Sequence, residues 1–175
     1  NRDSIPISFI SSISGEMAGT KQWLKIPVDE ECSLKAAAFC GSRPGKRLIV
    51  TAGVHGCEYI GILAVSRLIQ DLDPRQMKGE VVFLPIANEG GFYKEIKQLV
   101  PEDGVNLNRA FPGTEMGSRS AKIAAAVETY LYPDADFLVD LHSGDIHEMV
   151  VPFAFFPVAA GEQGSFRSGG CGIDR

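Results

Sequence analysis

Cysteine is scarce in this sequence and follows no pattern. The four cysteines, Cys32, Cys40, Cys57 and Cys171, form no CxxC pair and have no regular spacing. This disfavours both a disulfide framework and a thiolate zinc site, because each of them has a recognisable cysteine pattern. Reduced thiols in a cytoplasmic protein are the simpler interpretation.

Long apolar runs and excess positive charge are also missing. No run approaches the roughly 20 residues that span a bilayer, and residues 1–4 lack the architecture of a signal peptide. The formal net charge of −5 gives no reason to expect nucleic acid or an anionic membrane as partner. The 175 residues, 45% of them hydrophobic, suit one soluble globular domain with a sizeable core.

Apolar runs and turn residues predict alternating strands and helices. Strands are predicted at 23–28, 34–40, 48–52, 81–87 and 137–141. Helices are predicted at 59–71, ending before Pro74, and at 121–130, capped by Ser118 or Ser120. Strand, helix and strand over 48–87 form a βαβ unit, so its two strands should lie parallel in one sheet.

Four other segments carry less structural information. Residues 1–20 are interpreted as an entry segment and 41–46 as a loop. The connection 88–117 has no periodicity, and irregular connections of that length are more often functional than filler. We expect one domain over 1–160, with a short strand near its end, and an irregular tail over 161–175.

The turn Gly53-Val54-His55-Gly56-Cys57-Glu58 lies between a predicted strand and a predicted helix. His55 and Glu58 can therefore point to one side. Both are good zinc ligands, and a hydrolytic zinc typically takes three protein ligands and a water. His142 follows the predicted strand 137–141 and would reach the same sheet edge if that strand is parallel.

Spacing alone does not decide for a metal. His142 could be a hydrogen-bonded structural histidine, and Glu58 a carboxylate favoured by the helix macrodipole. Cys57 lies between the two candidate ligands and should face away from a metal, which disfavours it as a nucleophile. A His₂Glu set is also compatible with Fe²⁺ or Mn²⁺.

Three motifs together resemble the succinylglutamate desuccinylase/aspartoacylase family of the zinc carboxypeptidase superfamily. They are GVHGCE at 53–58, VNLNRAFPG at 105–113 and DLHSG at 140–144, and the similarity extends from Arg43 to Pro157. The resemblance implies an α/β three-layer sandwich with a mixed, mostly parallel sheet, whose C-terminal part is missing here. It also implies one Zn²⁺ per chain and a small acylated amino acid or amine as partner; the oligomeric state stays open, and a homo-oligomer is compatible.

The resemblance also implies roles for individual residues. His55, Glu58 and His142 match the zinc ligands, and Asn108 and Arg109 match the substrate-binding pair. Arg109 is the catalytic candidate, because a guanidinium there can hold the oxyanion formed from the scissile carbonyl.

Two further polar residues lie close to His142. Asp140 faces the same side of its strand as His142, and it is either an acceptor for the ligating imidazole or a structural aspartate. His147 is interpreted as a loop or pocket residue rather than a ligand.

The sequence departs from the family in two ways. The family's general base is a Glu far downstream, in a region that would lie beyond Arg175; Glu162 is too close to His142 to match it. A family Arg that binds a substrate carboxylate is missing, so Lys94 or Lys97 would have to supply its charge.

The expected function is that of a zinc-dependent hydrolase that cleaves an amide bond of an N-acyl amino acid or similar acylated amine. A metallocarboxypeptidase acting on peptides is the nearest alternative. A catalytically impaired metal-binding module, or an assembly completed by a second chain, are the others. For this chain by itself we expect metal binding without efficient turnover.

Overall fold

The computed structural model describes residues 17–158 and 167–172. Its strands are β1 (Thr20–Pro27), β2 (Ser33–Cys40), β3 (Arg43–Ala52), β4 (Lys78–Leu84), β5 (Leu99–Val100), β6 (Val105–Asn106), β7 (Phe137–Leu141), β8 (Phe153–Val158) and β9 (Arg167–Gly172). Its helices are α1 (Tyr59–Asp71), α2 (Glu89–Tyr93) and α3 (Arg119–Tyr130), with 3-10 turns at Pro74–Gln76 and Leu107–Arg109. No helix within these described ranges has the length and apolarity needed to cross a membrane.

Five strands form the central sheet, in the order β1-β2-β4-β3-β7. β2 is antiparallel to both β1 and β4, whereas β3 is parallel to both β4 and β7. Four of the five strands therefore run in one direction, and β2 alone is reversed. This is the mixed, mostly parallel sheet that was predicted, and β3 and β4 with α1 between them are the predicted βαβ unit.

Helices cover both faces of this sheet. Ile62, Val65 and Ile69 recur on one side of α1 and pack with Val50 and Phe83 of the sheet. Side chains alternate between the faces of a strand, so the neighbours of these sheet residues point the other way.

On the opposite face the sheet packs against α3. Ile49 and Val82 lie there in one buried cluster with Ile123 and Val127 of that helix. The two clusters on opposite faces make the described residues a three-layer α/β sandwich, as predicted.

Of the predicted strands, β3 and β4 differ most from their predicted bounds. β3 begins at Arg43 instead of 48, and its pairing with β4 shifts register between Arg43 and Arg47. β4 begins at Lys78 and ends at Leu84, before Pro85. Since β4 is paired on both sides, a proline there would remove a ladder hydrogen bond, which ends the strand.

The segments without periodicity also contain structure. Helix α2, the two-residue pair β5 and β6 and the turn Leu107–Arg109 lie within 88–117. Of the predicted irregular tail, residues 167–172 instead form β9, antiparallel to β8; their glycine-rich sequence has little strand propensity, so pairing decides their conformation. Residues 1–16, 159–166 and 173–175 lie outside the described residues, and so does the predicted boundary at 160.

Candidate metal centre

Two neighbouring parallel strands end at the candidate site. β3 and β7 pair in parallel, with Ala52 opposite Leu141. The turn after β3 carries His55 and Glu58, and the residue after β7 is His142. Because parallel strands end at the same edge of a sheet, this register brings the two motifs together. The strand before His142 is thus parallel to β3, which was the condition for His142 to reach this edge.

The Glu58 carboxylate lies between the two imidazoles. Its Oε1 is 2.7 Å from Nδ1 of His55, and its Oε2 is 2.8 Å from Nδ1 of His142. One potential ligand atom from each of the three residues lies within 4.8 Å of the other two. Oε2 also accepts a hydrogen bond from the backbone N–H of Ser143 at 3.0 Å. Glu58 is the N-cap residue of α1, but its side chain accepts no hydrogen bond from a helical N–H. Both carboxylate oxygens are therefore available to contact the histidines.

Nε2, the ring nitrogen of each imidazole that does not face Glu58, lies within hydrogen-bonding distance of a side-chain oxygen. Nε2 of His55 lies 3.1 Å from Oδ1 of Asn106. This atom is assigned as the oxygen because it also accepts from the backbone N–H of Asn108 at 2.9 Å, which an amide nitrogen could not do. Nε2 of His55 must therefore carry a proton and donate it.

The same arrangement recurs at His142. Its Nε2 lies 2.8 Å from Oδ2 of Asp140, whose Oδ1 accepts from the Thr51 hydroxyl at 2.6 Å. Thr51 and Asp140 are direct partners in the β3–β7 ladder, which explains the contact. The interpretation of Asp140 as an acceptor for the imidazole agrees with this geometry.

Nε2 of each ring therefore faces an oxygen acceptor, which leaves Nδ1 of each ring facing the Glu58 carboxylate. A lone pair facing a carboxylate oxygen at 2.7–2.8 Å needs a proton or a cation between them. Two imidazole nitrogens and a carboxylate are a donor set that suits Zn²⁺, so the residues present fit this metal.

The electrostatics of the cluster favour positive charge. Burial raises the pKa of the Glu58 carboxyl, but the hydrogen bonds of His142 and His55 outweigh this and hold that pKa at about 2. Asp140, and after it Glu58, raise the pKa of His142 to about 10. Because metal ligands bind in their deprotonated form, a cation entering here would replace protons.

Close backbone packing positions the His55 turn. A Cβ placed on Gly56 would lie 2.3 Å from backbone atoms of Gly91 and Phe92, so only glycine lets this turn approach α2. The buried Asn88 fixes α2 in turn, since its side chain accepts from the Gly91 N–H and donates to the Leu99 carbonyl.

The other predicted residues have partners outside the three candidate ligands. Arg109 is exposed, and its Nη1 donates to the Asn108 carbonyl at 3.0 Å. Lys97 forms an ion pair with Asp145 at 2.6 Å, so its charge is already compensated. His147 is exposed, and its backbone N–H donates to Asp145.

Sequence reasoning gave no role to Asn106 or Thr51. Asn106 belongs to the VNLNRAFPG motif, and its position two residues before Asn108 was the available clue. Thr51 lies in an apolar strand run, where a threonine passes as an ordinary strand former. Only the register between β3 and β7 shows that its hydroxyl reaches Asp140.

The chain matches known proteins over most of its length. Residues 44–167 match the model of the succinylglutamate desuccinylase/aspartoacylase catalytic domain. The chain is 34% identical over 155 residues to an N-alpha-acetyl-L-2,4-diaminobutyric acid deacetylase of Halomonas elongata, covering 85% of this chain and 44% of that protein.

Solved structures give the same result. An aspartoacylase family protein of Mesorhizobium loti is 35% identical with a TM-score of 0.63, over 72% of this chain and 40% of that one. The product-bound ectoine utilization protein EutE (DoeB) of Ruegeria pomeroyi is 28% identical with a TM-score of 0.64, over 81% of this chain and 42% of that one. The chain thus spans less than half the length of each of these relatives.

Proposed function

Since the chain belongs to the succinylglutamate desuccinylase/aspartoacylase family, we propose that it is the zinc-binding part of a deacylase that hydrolyses the amide bond of an N-acyl amino acid. The observation that carries the proposal is the convergence of His55, Glu58 and His142. Their ligand atoms lie within 4.8 Å of one another, and both outer ring nitrogens face oxygen acceptors.

In this proposal the three residues hold one Zn²⁺. When bound, zinc supplies Lewis-acid chemistry, which polarises an amide carbonyl and makes water a better nucleophile at neutral pH. Glu58 contributes the negative charge of the donor set. Asn106 and Asp140 keep Nε2 of each imidazole protonated, so that Nδ1 of each ring is the atom available to the metal.

The turn Leu107–Arg109 supplies the proposed substrate contacts. Arg109 is exposed. Its guanidinium donates one hydrogen bond to the Asn108 carbonyl and has further N–H groups that can stabilise the negative charge developing on a substrate carbonyl oxygen. Asn108 can donate its side-chain amide to a carboxylate or amide of the substrate.

The relatives support the proposed substrate class. The Halomonas elongata protein is named for an N-acetylated diamino acid, which makes N-acetyl amino acids the first candidates. Lys97 does not favour a second carboxylate in the substrate, because Asp145 already pairs with it. The His142 side chain is 33% exposed in the described part of the chain, so a small substrate can reach the centre.

A comparison of substrates tests the proposal. The zinc-loaded chain is incubated with N-acetyl amino acids and with dipeptides, with and without a chelator. We expect slow hydrolysis confined to the N-acetyl compounds, lost with chelator and restored by zinc. Preferential cleavage of dipeptides would favour the metallocarboxypeptidase alternative, and hydrolysis that survives complete metal removal would contradict zinc dependence.

A further inference from the structure

One oxygen atom joins the candidate metal centre to the proposed substrate-binding turn. Oδ1 of Asn106 lies 3.1 Å from Nε2 of His55 and accepts from the Asn108 backbone N–H at 2.9 Å. A side-chain carbonyl oxygen has two lone pairs and can accept both hydrogen bonds. His55 and the backbone of the turn therefore share a single acceptor.

The turn is fixed on its other side by the core. Leu107 is fully buried in the cluster that includes α3, and its carbonyl accepts from the Ala110 N–H at 3.0 Å. The backbone of the turn thus has two anchors, the Leu107 side chain in the core and the Asn106 side chain at the metal centre. Of these two anchors, only the Asn106 side chain contacts His55, so only it can transmit metal binding at His55 to the turn.

We propose that Asn106 is a positioning residue that sets the turn carrying Asn108 and Arg109 against the metal centre. The inference rests on the proposed zinc site. A cation on Nδ1 of His55 draws electron density from the ring, which makes Nε2–H a stronger donor and tightens its hydrogen bond to Asn106, because hydrogen bonds to charged groups are stronger. Metal binding thereby fixes the position of the Asn106 side chain, which is the acceptor of the Asn108 N–H, and by reciprocity an ordered turn increases metal affinity.

The other imidazole provides the control. Asp140 holds His142 in the same way, but its second partner is the Thr51 hydroxyl of β3. Nothing in that chain of contacts includes the turn 107–109. Loss of Asp140 should therefore weaken metal binding and leave the turn unaffected, whereas loss of Asn106 should affect both.

The experiment measures zinc affinity and the hydrogen exchange of one amide in the 175-residue chain. Zinc affinity is obtained by competition with a chromophoric chelator, and exchange of the Asn108 N–H is followed by NMR with and without saturating zinc. The proteins are the parent, Asn106→Ala, Asn106→Asp and Asp140→Ala. Thermal unfolding of each confirms that it is folded.

We expect Asn106→Ala and Asp140→Ala each to lose about 10–100-fold in zinc affinity, the usual cost of removing an outer partner of a ligand. Zinc should slow exchange of the Asn108 amide by about 5–150-fold in the parent, the range of ordinary coupling between sites. Asp140→Ala should keep this response at saturating zinc, and Asn106→Ala should lose it. Asn106→Asp keeps an oxygen acceptor and should restore both properties.

The inference is overturned if zinc leaves the Asn108 amide unchanged in a parent that binds it, or if Asn106→Ala responds as the parent does. A parent that binds no zinc would instead refute the proposed metal site, and the inference with it. The affinity of the parent therefore separates failure of the inference from failure of the proposed function.

Discussion

The two sides of the candidate centre are built differently. His55 follows β3, an interior strand paired on both sides; it is 8% exposed and belongs to a turn whose residues 53–57 are all buried. His142 follows β7, which is an edge strand of the sheet among the described residues and in which Phe137, Leu138 and Val139 are all more than 40% exposed. The inner side is positioned mainly by packing. The outer side depends on the hydrogen bonds of His142 with the Glu58 and Asp140 carboxylates and on the Thr51 hydroxyl, which donates to Asp140.

Packing should therefore dominate mutations on the inner side. Ile49 and Leu138 are direct partners in the β3–β7 ladder, but Ile49 is fully buried and Leu138 is 48% exposed. We expect Ile49→Ala to lower the free energy of unfolding by about 2–5 kcal/mol. Leu138→Ala should cost about 1 kcal/mol, since it buries only about half as much surface. Denaturant unfolding of both variants measures the difference, and equal losses would refute the contrast.

Glycines give a second test of the same contrast. A Cβ on Gly56 would meet backbone of α2 at 2.3 Å, and one on Gly144 would meet the Glu148 carbonyl oxygen at 2.1 Å. Overpacking costs about 1–3 kcal/mol, and we expect Gly56→Ala at the upper end because the turn and α2 are both held in place. Gly144→Ala should cost less, because residues 146–148 are exposed and can shift. Thermal unfolding of the pair decides, and a larger loss for Gly144→Ala would reverse the assignment of the rigid side.

Hydrogen bonding should dominate on the outer side. We expect Asp140→Ala to weaken zinc binding by about 10–100-fold, which is about 1.4–2.7 kcal/mol. Asp145→Ala is the matched control: it removes an aspartate from the same segment, but one that pairs with Lys97. Competition with a chelator measures both affinities. Equal losses in the two variants would show that Asp140 acts only through general negative charge.

The smallest effect concerns Thr51, which is buried in β3. Thr51→Val keeps the shape of the side chain but removes the hydroxyl that donates to Asp140. A net hydrogen bond is worth about 0.5–1.5 kcal/mol, so zinc affinity should fall by a factor of about 2–12. Thr51→Ser restores the donor and should recover the affinity. An unchanged zinc affinity in Thr51→Val would mean that Asp140 positions His142 without the hydrogen bond from Thr51.

The sequence predicted the elements whose patterns are strong. Helix α1 has the bounds that its apolar spacing and Pro74 indicate, and the βαβ unit follows from two apolar runs at the right separation. The family, the mixed sheet and the proximity of His55, Glu58 and His142 could be predicted for the same reason. These features could be predicted because apolar spacing and short motifs within the sequence indicate them.

Features set by tertiary contact could not be predicted. The start of β3 at Arg43 and the pairing of 167–172 depend on partner strands rather than on local propensity. The contact of Asn106 with His55 joins residues 51 positions apart, and that of Thr51 with Asp140 joins residues 89 apart. Neither contact can be inferred from the residue types, because Asn is common in turns and Thr is common in strands without any such contact.

Metal content tests the central claim most directly. The chain has three histidines, of which His55 and His142 lie at the centre, while His147 is exposed and uses its backbone to contact Asp145. Elemental analysis of the purified parent, His55→Ala, His142→Ala and His147→Ala shows which of the three histidines zinc binding requires. We predict one equivalent of zinc in the parent and in His147→Ala, and little in the other two. A parent without zinc after incubation with the metal, or equal zinc in all four proteins, would contradict the account.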